Sequence, residues 1–200
     1  MSSPAAGLDR RGVLRRRIRL LVAATITYNV VEAIIAISAG TVAGSIALIG
    51  FGLDSVIEVS SAAAVAWQFA AADPERREKA ALRVIAGSFF ALAAYVTVEA
   101  LRTLVTGNEP EHSTVGIVLV AVSVLVMPFL SWAQRRAGRE LGSASAVADS
   151  KQTLLCTYLS AAVLVGLVLN AALGWWWADP VAALVIVVFG VLEGRRALTG

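Results

Sequence analysis

Gly50-Phe51-Gly52-Leu53-Asp54-Ser55-Val56-Ile57-Glu58-Val59-Ser60 is the stretch on which the reading of this chain turns. It lies inside an apolar run covering residues 42–71, where hydrocarbon would be the natural surrounding. Asp54 and Glu58 are four residues apart, so on a helix they stack on one face, one turn from each other. A single carboxylate in a bilayer costs several kcal/mol on insertion scales, and two neighbouring ones repel. Something has to compensate both charges, and a divalent cation is the simplest candidate. A shared proton or a pairing with Arg or Lys is the plainer alternative, although no basic residue lies in the same segment.

Outward from that stretch, the chain has the composition of a membrane protein. Its 200 residues are 58% hydrophobic and 16% charged, with a mean hydropathy of +0.77, which is not the profile of a soluble domain. Apolar runs fall at residues 18–39, 42–71, 80–105, 115–132, 153–173 and 181–192. A helix needs about 20 residues to cross a core of about 30 Å, so the fourth and sixth runs must borrow flanking residues. The expectation is an all-α membrane protein of six transmembrane helices. A basic N-terminal segment (residues 1–17), partly disordered or lying on the anionic inner leaflet, precedes a six-helix domain (residues 18–200) with no C-terminal soluble domain.

The 17 Lys and Arg residues assign an orientation. Arg10, Arg11, Arg15, Arg16, Arg17 and Arg19 precede or open the first run; Arg76, Arg77, Lys79 and Arg83 follow the second. Arg135, Arg136 and Arg139 follow the fourth, and Arg195 and Arg196 close the chain. The intervening loops 40–44, 106–114 and 174–180 carry no Lys or Arg, and only Arg102 lies near that side. Cytoplasmic loops concentrate Lys and Arg, so both termini are expected in the cytoplasm, with residence in the cell (inner) membrane. The basic balance is thus a topology signal and not a nucleic-acid footprint. The first run is too long for a signal peptide and lacks a clear small-residue cleavage site, and the single cysteine, Cys156, excludes a disulfide framework.

Further polar residues mark the apolar runs. Asn29 and Glu32 share a helix face in the first, at a depth that can meet Asp54 in one layer. Gly40 and Gly44 bracket a tight turn that allows close helix approach. Glu99 is placed for pairing with Arg102, and His112, the only histidine, sits in a polar loop beside Glu109 and Glu111. Pro128 should kink the fourth span, which offers no candidate ligand. The fifth segment holds Asp149, Lys151, Gln152 and Cys156; Gln152 and Cys156 repeat the four-residue spacing of Asp54 and Glu58. Trp175, Trp176 and Trp177 form an interfacial belt before Asp179-Pro180.

Over nearly its whole length the chain resembles the cation diffusion facilitator family, and within it the short, tail-less relatives. The resemblance is carried by Ala43-Gly44-Ser45 leading to Asp54-Ser55-x-x-Glu58, by Ala148-Asp149-x-x-Gln152-x-x-x-Cys156, and by Trp177-Ala178-Asp179-Pro180 before the last span. It departs from the family in having Glu at the second position of the first pair and Gln152 and Cys156 where the fifth span has His and Asp. It implies a transporter, not an enzyme, with no catalytic residue and no organic cofactor. Its cargo would be a divalent cation of the zinc type, exported from the cytoplasm against a counterflow of protons, by a homodimer in the lipid bilayer. The implied metal ligands are Asp54, Glu58, Gln152 and Cys156, with Asn29, Glu32 and Asp149 as auxiliary or access-path groups. A register pairing Ser145 with Asp149 would make Asp149 the fifth-span ligand instead, but Asp149 lies outside the apolar run and Cys156 within it. Two alternatives from other classes stay open: an intramembrane aspartyl hydrolase using Asp54 and Asp149, and a non-transporting scaffold whose polar residues only join helices.

Overall fold

The computed structural model describes residues 4–69, 74–141 and 144–199. Within them the chain forms α1 (Pro4–Ala43), α2 (Ile46–Phe69), α3 (Pro74–Thr106), α4 (Thr114–Leu141), α5 (Ala144–Leu173) and α6 (Ala178–Thr199), and no strand. The basic N-terminal segment, expected to be partly disordered or to lie on the inner leaflet, is helical from Pro4 and continuous with α1. Arg and Leu are good helix formers, and a long apolar helix already nucleated at 18–43 extends into them at little cost. Likewise α4 continues through Pro128 to Leu141.

Gly44, at φ +65°, ends α1 in the left-handed conformation that glycine adopts most readily. The Ser45 amide donates to the Gly40 carbonyl at 2.9 Å, closing a Schellman turn, and α2 begins at the next residue. The sequence places Gly44 in a close helix contact, yet a side chain there would meet nothing; its role is the turn. The close contact is made by Gly40, as its place in the sequence suggested, where a β-carbon would fall 2.8 Å from the Ile49 backbone nitrogen, and by Gly52, inside the decisive stretch. A β-carbon there would fall 2.7 Å from the Ile37 side chain and 3.0 Å from its backbone nitrogen. Only glycine allows α2 to lie this near α1.

Three contacts gather the 44–45, 107–113 and 174–177 connections at one end of the bundle. The Ser45 hydroxyl donates to Asp179, the Glu111 amide donates to the Ala43 carbonyl at 2.8 Å, and the Asn170 side chain donates to the Pro110 carbonyl at 2.9 Å. This is the loop end; the Arg-rich ends of α1, α4 and α6 lie at the other, the basic end. Helix α2 is central, packed on α1, α3, α5 and α6, while α4 bridges α1 and α5 and α3 lies along α6. The core between them is apolar, with Leu48, Phe51, Val96, Val120, Val163 and Ile186 buried.

Polarity is distributed in the reverse of a soluble bundle. Leu125 is 75% exposed and Val98 62%, whereas Asn29, Glu32 and Gln134 are buried. Among the described residues, α1 to α5 each contain a stretch long and apolar enough to cross a membrane. Helix α6 is the exception. Only residues 180–192 lie between its charges Asp179 and Glu193, roughly 20 Å at 1.5 Å per residue. Asp179 is accommodated by α2, accepting from the Ser45 hydroxyl and from the Ala47 amide at 3.3 Å. Glu193 is accommodated by Arg196 on its own helix.

A candidate metal centre between α2 and α5

Helical periodicity turns Asp54 and Glu58 to the same side of α2, and α5 faces them with Cys156. One ligating atom from each of the three residues can be chosen so that all lie within 4.8 Å of one another. The Cys156 thiol donates to Glu58 Oε1 at 2.7 Å, and the Asn29 amide of α1 donates to Glu58 Oε2 at 2.6 Å. Both Glu58 oxygens are therefore held from neighbouring helices. Asp54 is 5% exposed and accepts no hydrogen bond among the described residues. It opens on a cavity of about 20 Å³, shared with Glu58, Cys156 and Glu193 and walled by Phe89 and Phe189. That is room for about one water or a bare ion.

The donor set suits a borderline metal. Thiolate and carboxylates are zinc ligands at about 2.3 Å and 2.0–2.2 Å, normally in tetrahedral geometry. At those bond lengths neighbouring ligand atoms stand about 3.3–3.6 Å apart, farther than the 2.7 Å between Cys156 Sγ and Glu58 Oε1. A metal entering this set has to replace the S–H···O contact and take the place of its proton.

A third carboxylic acid, also buried, sits beside this set and is engaged differently. Glu32 is 1% exposed; it accepts from the Ser55 hydroxyl at 2.7 Å on one oxygen and from the Ser123 hydroxyl on the other. With the Ser123 proton directed at Glu32, the Tyr28 hydroxyl 2.8 Å away acts as donor to Ser123. The chain Tyr28–Ser123–Glu32–Ser55 thus ties α1, α4 and α2 at the level of the site. About three helical turns beyond Ser123 toward the basic end of α4, Gln134 bridges α1 and α5. Its amide donates to Thr25 at 3.1 Å, and its carbonyl accepts from Thr153 at 3.1 Å.

The sequence of residues 22–199 matches the family model of the cation efflux transmembrane domain. The chain belongs to that family. An uncharacterised transporter of Synechocystis sp. is 28% identical to this cation efflux domain over 158 residues, covering 74% of the chain and 51% of the relative. The cation-efflux pump FieF of Shewanella oneidensis is 34% identical over 105 residues, 52% of the chain and 34% of the relative. The chain thus spans about half the length, or less, of these curated relatives.

Of the residues singled out from sequence, Asp54, Glu58 and Cys156 come together, and Asn29 reaches the same point through Glu58. Glu32 reaches the layer but has both oxygens committed to serines. Gln152 and Asp149 lie on α5, with side chains outside the described residues. Glu99 pairs with Arg102 at 3.7 Å, as its spacing suggested. The sequence reading passed over Ser55, Ser123, Gln134 and Glu193. A serine or glutamine in an apolar helix carries no sign of which neighbour it faces, and α4 had looked empty of polar function. Glu193 was legible only as one charge among the basic residues that end α6.

Proposed function

We propose that this cation efflux domain carries a divalent metal cation across the membrane, bound between α2 and α5 by Asp54, Glu58 and Cys156. The observation behind this reading is Asp54: a buried carboxylate with no hydrogen-bond partner among the described residues, facing a small cavity beside a second carboxylate and a thiol. Two acids and a thiol so close are costly in hydrocarbon unless protonated or neutralised by a cation. The single thiolate favours zinc and cadmium over manganese or magnesium. The Gln152 carbonyl or a water completes the coordination, and Asn29 fixes Glu58.

Loading the site displaces protons from its ligands, which couples cation movement to a proton counterflow. Zinc affinity accordingly falls as pH falls, because protons compete for the same atoms. Export from the cytoplasm, residence in the cell membrane with the basic end cytoplasmic, and assembly as a homodimer belong to the same reading. A panel of metals presented to the purified protein in liposomes, with internal pH recorded, tests it. Zinc and cadmium should move, each with an opposite pH change, and manganese should move poorly. No metal flux in any arm would overturn the proposal.

A further inference from the structure

Glu193 shares the cavity of Asp54, Glu58 and Cys156. It comes from α6, a helix that supplies nothing else polar to that cavity. Asp54, Glu58 and Glu193 all line the cavity, and Phe89 and Phe189 add apolar wall. Asp54 is buried without a partner among the described residues, whereas the Glu193 side chain is 22% exposed. The starts of α2 and α6 meet at the loop end, so Glu193, far along α6, is both the more exposed of the two acids and the nearer to the basic end. Its Oε1 accepts from Arg196 Nη1 on the next turn, and the Arg196 side chain is 66% exposed. An ion pair this open to solvent holds weakly and is easily exchanged.

We infer that Glu193 is the mouth carboxylate of this site: it captures the divalent cation at the basic end, in exchange for Arg196, and delivers it to Asp54. This rests on the proposed cation site and adds a residue from a third helix to it. A carboxylate at the narrow opening of a low-dielectric cleft raises the local cation concentration. Between cargoes Arg196 holds Glu193 in place, acting as a tethered cation that a divalent ion outcompetes.

Zinc flux in liposomes, with metal supplied at the basic end of α6, tests the inference. Glu193→Gln should raise the half-saturating zinc concentration about three- to tenfold while leaving the maximal rate within about twofold. Glu193→Asp should restore it, and the salt dependence of half-saturation should be shallower in Glu193→Gln than in the native protein. Arg196→Gln should leave half-saturation unchanged or lower it. Unchanged half-saturation in Glu193→Gln, or a fall in maximal rate alone, would overturn the role of Glu193. Asp54→Asn in the same assay separates the two levels. If it is inactive while Glu193→Gln behaves as native, only the mouth role fails; if Asp54→Asn transports normally, the site itself is wrong.

Discussion

Glu32 and Asp54 are both buried acids in the middle of the bundle, on adjacent helices, and they are held in opposite ways. Glu32 has a hydroxyl donor on each oxygen, one from α2 and one from α4. Asp54 has none among the described residues and faces a cavity beside Glu58 and Cys156. An acid whose lone pairs are satisfied by the protein fastens helices together, since removing a partner exposes the full desolvation cost. An acid left unsatisfied is a standing cost to the fold, tolerable where a ligand answers it. Burial alone thus does not distinguish structure from function in this chain; the inventory of donors does.

The largest expected difference is in transport. Asp54→Ala should reduce zinc flux and binding by more than about a hundredfold, with a melting temperature equal to or above that of the native protein, because a buried charge has been removed. A variant that still transports would break the comparison at its functional side. Next in size is Cys156→Ser, which should weaken zinc and cadmium binding by between about tenfold and a hundredfold while sparing manganese, measured by competition titration. An unchanged zinc-to-manganese preference would remove Cys156 from the ligand set and favour the register that uses Asp149.

The converse test is Glu32→Gln. It turns one acceptor into a donor facing a serine, and should cost about 1–3 kcal/mol in thermal or denaturant unfolding, with zinc affinity close to native. If zinc binding collapses while stability holds, Glu32 is a ligand and its serine partners are incidental. Smallest of all is Arg102→Gln, which breaks the exposed pair with Glu99 and should change stability by less than about 0.5 kcal/mol.

Much of this was legible before any coordinates. Six apolar runs, the four-residue spacing of Asp54 and Glu58, and the depth of Cys156 within its run follow from helix geometry and hydrocarbon thickness. Gly40 was legible as a close-packing residue and does pack α1 on α2, whereas Gly44 serves the turn and the second α1–α2 contact, at Gly52, was not read. What could not be read were the links between helices. Sequence spacing shows that Glu32 and Asn29 share a face, but not that serines from α2 and α4 claim the acid while the amide goes to Glu58. Nor does it show that α6, too short an apolar run by itself, is accommodated by lending Asp179 to the start of α2 and Glu193 to the cavity.

Zinc K-edge X-ray absorption on the metal-loaded protein tests the central claim most directly. The account predicts a bound zinc with a single sulfur at about 2.3 Å and the remaining ligands oxygen or nitrogen near 2.0–2.2 Å, with the sulfur shell lost in Cys156→Ser and zinc itself lost in Asp54→Ala. A native shell of oxygen and nitrogen alone, or a sulfur shell that survives Cys156→Ser, would contradict it.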